Sequence, residues 1–341
     1  MKNIVERYSI LKPKYDGLMN AIKFSLEQII STKEMSLFEL TGRVKSLTSL
    51  ENKIIRKGNK LGLDSIEDLC GVRVVCYYTS DMDAIAEMIH EEFNILSISD
   101  KQKEAEEDRF GYLSRHFIVT WKDEWLSAPL YREYSGLKIE IQLRTMLMHT
   151  WAAISHKLLY KNESDAPREL KRRLNRLSAL IELADEQFNA IRNLKEEYIM
   201  RLQADEEDKE EPLNSDGLIL LIDKYAPGRE VDNESVPKFL KEIKDYKVTI
   251  KSFEEKIIAT QSLINEIENK LSTRRENFKF PVWTAVGYCR AVMDLTTDKY
   301  FKSRWVNGPM KKIIDDGRDT DGYWQFWLDL MNEARKKLKL N

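Results

Sequence analysis

Residues 137–143 alternate without a break: Leu137, Ile139, Ile141 and Leu143 fall on one side, and Lys138, Glu140, Gln142 and Arg144 on the other. A period of two predicts a strand, here with one apolar face and a second carrying a carboxylate, an amide and a guanidinium in succession. A helix is predicted to follow directly, from Thr145 to about Tyr160, bearing His149, Trp151, His156 and Lys157. Asp68–Tyr78 is the clearest strand in the chain, rich in β-branched and aromatic residues. Val72, Val74 and Cys76 share one of its faces; Gly71, Arg73, Val75 and Tyr77 share the other, with Asp68 at the mouth. Asp81–Phe93 reads as an amphipathic helix and Phe117–Trp121 as another strand, with an acidic loop at Asp100–Arg109 and a connector at Ser127–Ser135.

The ends of the chain are helical in pattern. Residues 3–40 carry Ile4, Tyr8, Leu11, Leu18, Ile22 and Leu26 on recurring faces, and Pro13 predicts a division into two pieces. Beyond a break at Ala166–Pro167 lies a long helix with an apolar stripe from Leu170 through Leu177, Phe188 and Ile191 to Leu202. A second stripe of similar spacing runs from Tyr246 through Phe253 and Ile264 to Leu271. Two such stripes predict an antiparallel helical pair within the chain, or one stripe serving a partner. Asp205–Glu211 is a charged run closed by Pro212 and reads as a solvated hinge. The expected division is therefore 1–204, a hinge over 205–216, and a helical region 217–341 that holds Trp283, Trp305, Trp324 and Trp327, four of the seven tryptophans.

Composition narrows the classes. With Lys+Arg 55 against Asp+Glu 57, the 341-residue chain has a net charge of −2. That argues against a general nucleic-acid coat and leaves room only for a local basic surface. Cys70, Cys76 and Cys289 form no C-x-x-C pair and read as buried thiols in a reducing compartment. No apolar signal core follows Met1–Ser9, and no run of about 18 apolar residues occurs. The expectation is a soluble cytoplasmic protein without a membrane segment.

Candidate chemistry gathers at four places. Thr41–Lys60 concentrates Arg43, Lys45, Lys53, Arg56 and Lys57, with Ser49 as the expected helix cap; taken alone, it would equally suit a solvated basic helix. Arg73 stands in an otherwise apolar strand and needs a partner, because an unpaired buried charge is costly. Phe110–His116 offers an aromatic ring with Ser114 and His116 on alternate positions. The Glu140 face suits a metal-held, phosphate-rich ligand.

These stretches stand in one order: Arg43-Val-Lys45-Ser46, Asp68-Leu-Cys-Gly-Val-Arg73, Gly111-Tyr-Leu-Ser-Arg-His116, then Glu140-Ile-Gln-Leu-Arg144 followed by Trp151-Ala and His156–Lys161. Over about residues 20–190 the set resembles the synthetase domain of the RelA/SpoT family, which makes (p)ppGpp. The resemblance implies an α+β fold, a nucleotidyltransferase-like mixed β-sheet flanked by helices and followed here by a largely helical C-terminal region. It implies transfer of the β,γ-pyrophosphate of ATP to the ribose 3′-hydroxyl of GDP or GTP, with Mg2+ as cofactor. By the same resemblance Asp68 and Glu140 are the catalytic carboxylates and metal ligands. Arg43, Lys45, Lys53 and Arg73 lie on the ATP side, Arg73 as structural support before direct ligand. Tyr112, Ser114, His116, Gln142, Arg144 and His156 lie on the acceptor side.

Two departures bear on the acceptor and on control. Glu104–Asp108 is acidic where family members carry a basic segment, and the family's hydrolase is missing: none of the four histidines precedes Asp68. Toxin-type relatives pyrophosphorylate the tRNA 3′ end, and some carry a C-terminal segment that restrains the enzyme until a phage protein is sensed. Residues 212–341 would be such a segment with a protein ligand, and Arg168, Lys171, Arg172, Arg173 and Arg176 a phosphate-binding surface. Small synthetases of this kind also suggest a homo-oligomer. A third reading, an inactive nucleotide sensor, is disfavoured by the retention of both carboxylates.

Overall fold

Helix α1 (Lys2–Thr32) is continuous, with Pro13 inside it, rather than the two pieces expected. Proline removes one hydrogen bond, and a helix of 31 residues survives that loss when Tyr8, Tyr15, Leu18 and Ile22 are buried on either side of it. The structure is a computed structural model and describes residues 2–338 apart from 34, 59–61, 101–113, 159–166, 205–207, 233, 275–281 and 320–321. It divides into two compact units, Met1–Asn193 and Leu194–Asn341.

After α1 the first unit runs β1 (Leu37–Val44), α2 (Leu47–Arg56), β2 (Cys70–Cys76), α3 (Thr79–Glu92), β3 (Phe93–Asp100) and β4 (Arg115–Trp121). A single turn, α4 (Asp123–Leu126), leads to β5 (Ile139–Thr145), α5 (Met146–Leu158) and the long α6 (Arg168–Ala204). The five strands form one mixed sheet in the order β1-β2-β5-β4-β3, in which only β2 and β5 are parallel. Val72, Val74, Cys76, Ile139, Ile141 and Leu143 are buried on one face, in a single core with the apolar sides of α1 and α3. The opposite face is left for the site.

Two strands, β1 and β3, are additions to the sequence reading. Each carries a register shift against its neighbour, between Leu37 and Glu39 in β1 and between Ile95 and Ser97 in β3. A bulge puts successive residues out of step, so the period of two that marks β2 and β5 is lost. The cap of α2 also moves: Ser46, not Ser49, is the N-cap, its Oγ accepting the Ser49 amide at 3.2 Å.

The second unit is helical: α7 (Ser215–Tyr225), α8 (Ser235–Ile243), α9 (Ile250–Arg274), α10 (Ala285–Thr296), α11 (Asp298–Phe301), a π-helical turn Lys302–Val306, α12 (Pro309–Asp315) and α13 (Tyr323–Lys337). The apolar stripe of α9 is buried inside this unit, against α7, α10 and α13, so the expected pairing of the two stripes is not what covers it. In α6, Leu174 is buried while Leu177, Phe188 and Ile191 are half exposed. The four C-terminal tryptophans pack as a core: Trp327 stacks on Trp283 and on Trp324 with centroids 5.2 Å apart, and Trp305 is buried beside them. Of the stretch read as a hinge, Asp208–Glu210 is a 3-10 turn whose Lys209 is buried on Glu254 at 3.0 Å, and Pro212 bridges Thr249. Among the described residues no helix is long and apolar enough to cross a membrane.

Candidate active site

Because β5 alternates, burying Ile139, Ile141 and Leu143 turns Glu140, Gln142 and Arg144 to the other face. Cross-strand partners share a face, so the register assembles the site in rows. One row reads Thr41, Arg73, Gln142, His116 across β1, β2, β5 and β4; the next reads Arg43, Gly71, Glu140. Thr41, Gly42, Arg43, Gly71, Arg73 and Gln142 line a cleft of about 250 Å3. Gly71 lines the cleft beside the carboxylate, where a Cβ would lie at ordinary contact distance, 3.8 Å, from Glu140 Oε2.

The polar side chains of this face form a chain of hydrogen bonds. Arg144 Nη2 donates to Gln142 Oε1 at 2.7 Å, and Gln142 Nε2 donates to Glu140 Oε2 at 2.9 Å. The other carboxylate oxygen, Oε1, meets His116 Nδ1 at 2.8 Å, and His116 Nε2 meets Ser114 Oγ at 2.8 Å. Burial pushes the Glu140 carboxyl up, but the hydrogen bonds from His116 and Gln142 outweigh it and hold the group below its ordinary value. Glu140 is therefore ionised at neutral pH and can only accept. Nδ1 of His116 is the donor, and in the neutral ring Nε2 accepts the Ser114 hydroxyl.

A second carboxylate sits at the mouth of β2. Asp68 accepts from Lys45 at 2.9 Å through Oδ2 and from Lys53 at 2.7 Å through Oδ1. Burial raises its pKa, and the two ammonium groups more than reverse the effect, so Asp68 too is held low. Three elements converge to build this triplet: Lys45 follows the last residue of β1, α2 contributes Lys53 from its last turn, and the buried Tyr8 of α1 donates to the Lys45 carbonyl at 2.6 Å.

Most residues named from the sequence meet here. Arg73 lines the cleft, and among the described residues its buried Nε has no acceptor and no carboxylate pairs with its guanidinium. His156 is exposed in the last turn of α5 and bonds to none of the described residues of the chain of hydrogen bonds. Tyr112 and the acidic Glu104–Asp108 lie outside the described residues. His149 was not assigned to the site by the sequence. Among the described residues its buried Nδ1 has no partner, and burial, then the guanidiniums of Arg144 and Arg73, push the imidazole toward its neutral form. Its place five residues after Arg144, in the first turns of α5, was the only signal available.

Residues 42–165 match the family model described as a region found in RelA / SpoT proteins. The chain is 31% identical over 154 residues to the GTP pyrophosphokinase YjbM of Bacillus subtilis, a span of 45% of this chain and 71% of that relative. The chain belongs to the RelA/SpoT family. A second relative, the GTP pyrophosphokinase YwaC of Bacillus subtilis, is 31% identical over 156 residues, covering 44% of this chain and 71% of that protein. The crystal structure of small alarmone synthetase 1 from Bacillus subtilis is similar at 28% identity and a TM-score of 0.47, covering 56% of this chain and 99% of that one. The RelA/SpoT match includes β2, β4, β5 and α5, and so every described member of the Glu140 chain of hydrogen bonds.

Proposed function

We propose that this chain is a pyrophosphokinase that moves the β,γ-pyrophosphate of ATP to the ribose 3′-hydroxyl of GDP or GTP. The observation that carries the reading is the pair of low-pKa carboxylates, Asp68 and Glu140, on a face that also offers Arg43 and Arg73 to a polyanion. The naming of both Bacillus subtilis relatives as GTP pyrophosphokinases favours a guanine acceptor.

In the reaction a bond forms between the 3′-oxygen and the β-phosphorus of ATP, the bond from that phosphorus to the α,β-bridging oxygen breaks, and AMP leaves. Glu140 accepts the proton of the attacking hydroxyl, and His116 and Gln142 fix the carboxylate that receives it. The guanidiniums of Arg43 and Arg73, with no carboxylate paired to them among the described residues, are free to neutralise phosphate charge. Asp68 and Glu140 fit a Mg2+ site: their charges oppose each other across the site, and Mg2+ favours one or two carboxylates completed by substrate oxygens. Mg2+ bound there would neutralise the phosphate oxygens as charge shifts toward AMP.

The test is transfer of label from γ-32P-ATP, with Mg2+, to GDP, GTP and bulk tRNA in parallel, using the full chain and Glu140→Gln. Label is expected on a guanine nucleotide, with Glu140→Gln reducing the rate roughly 10²–10⁴-fold. Label on tRNA alone would replace the acceptor; Arg172, Arg173 and Arg176, exposed at the start of α6, would then be the first surface to mutate. No label on any acceptor would overturn the reading.

A further inference from the structure

Asp185, Asn189 and Arg192 follow one another on α6 at steps of four and three, which puts them on one side of the helix. All three grip the C-terminal ends of β2 and β5, the parallel pair that carries the candidate site. Asn189 Oδ1 accepts the Ser80 amide at 3.1 Å. Arg192 pairs with Asp81, donates to Ser80 Oγ at 3.3 Å, and stands 4.8 Å over the ring of Tyr78. Those contacts hold the turn after β2.

Asp185 holds the turn after β5. Its Oδ2 accepts the Thr145 hydroxyl at 2.7 Å, and the same hydroxyl oxygen accepts the Met148 amide at 3.2 Å. Thr145 is fully buried and Asp185 is 3% exposed. A buried carboxyl is costly, and here burial pushes it up to about 6 against the one hydrogen bond that opposes it. Capping the first turn of α5 requires only the threonine hydroxyl, so the cap alone does not account for a carboxyl placed behind it. What the carboxyl adds is a fixed direction for that hydroxyl. Arg144, the residue before Thr145, begins the chain of hydrogen bonds through Gln142 to Glu140.

We propose that Asp185 is a positioning residue for the pyrophosphoryl transfer. Through Thr145 it fixes the end of β5, and with it the aim of Arg144 and Gln142 at Glu140. The proposal rests on the reading in which Glu140 is the acting carboxylate.

The test uses full-length Thr145→Val, Thr145→Ser, Asp185→Leu, Asp185→Asn, the Thr145→Val/Asp185→Leu double variant, and Glu140→Gln as reference. Thr145→Val and Asp185→Leu are each expected to lower kcat about tenfold, the scale of one lost hydrogen bond to a charged group, with the KM for ATP within about twofold. Thr145→Ser and Asp185→Asn, which keep the bond, are expected to recover kcat to within about twofold of the parent. The double variant is expected to be no slower than Thr145→Val, which already removes the hydroxyl–carboxyl contact together with the Met148 cap. Wild-type kcat in Thr145→Val would overturn the proposal, as would losses that multiply in the double variant. Should Asp185→Leu fail to fold, Thr145→Val, which conserves shape, decides alone. Full activity in Glu140→Gln would sink the functional reading itself; an inactive Glu140→Gln beside an unaffected Thr145→Val would sink only the positioning role.

Discussion

Glu140 has both oxygens engaged, one by His116 and one by Gln142, so its orientation depends on both neighbours. Removing either neighbour should therefore act on turnover before affinity. Gln142→Leu keeps the volume and cuts the link to Arg144; kcat is expected to fall about tenfold with the KM for ATP nearly unchanged, read from initial rates. Gly71→Val makes the opposite prediction. A valine suits a strand, yet its methyls would enter the cleft beside Glu140 Oε2, so KM is expected to rise at least about tenfold while the melting temperature holds. Most of these residues were legible because alternation alone puts Glu140, Gln142 and Arg144 on one face, and Arg73 with Gly71 on another strand's like face. Asp185 was not legible: it meets Thr145 across 40 residues, and no spacing rule links a helix position to a strand end. Arg73 shows where pattern reading stops: a charge in an apolar strand normally needs a partner, and the alternation could not show that this one lines a cleft.

Among the elements, α2 shows how a local rule reaches the site. It is only ten residues long, it is capped by Ser46, and its last turn carries Lys53 to Asp68. A helix this short depends on its cap. Ser46→Ala is expected to cost about 1 kcal/mol of stability, followed by thermal melts, and to raise the KM for ATP as Lys53 loses its fixed place. In the second unit, α9 is tied to its neighbours through Glu254, which accepts from Lys209 at 3.0 Å, Lys224 at 2.8 Å and Tyr225 at 2.7 Å. Burial raises this carboxyl, and the bonds from Lys224, Tyr225 and Lys209 overcome that and bring it down to about 2. A carboxyl whose folded pKa lies below the ordinary 4.5 adds stability above that value and loses it as pH falls from there toward 2. Glu254→Gln is thus expected to melt several degrees lower at pH 7, with the difference shrinking as pH falls from 4.5 and closing only below about 2, as followed by circular dichroism. Elements with an unbroken period, β2, β5 and α9, could be read directly from the chain. The bulged β1 and β3 could not, because one extra residue erases the signal on which strand reading depends.

At the scale of the molecule, two cores share no residue. One is built on β2, β5, α1 and α3; the other is built on α7 to α13 and takes in Leu202 from the last turn of α6. Each unit buries large side chains completely, Phe117 and Trp121 in the first and Phe253 and Trp305 in the second, and cutting such a side chain to alanine costs about 3–5 kcal/mol. A cavity loosens the contacts around it, so the cost should be felt by the amides of the core that holds it. Phe253→Ala is expected to speed hydrogen exchange across α9 and α10 and to leave β2 and β5 protected; Phe117→Ala is expected to do the reverse. Exchange followed by mass spectrometry on the full chain reads both at once. Faster exchange in both units from either substitution would mean that the two cores unfold as one cooperative body.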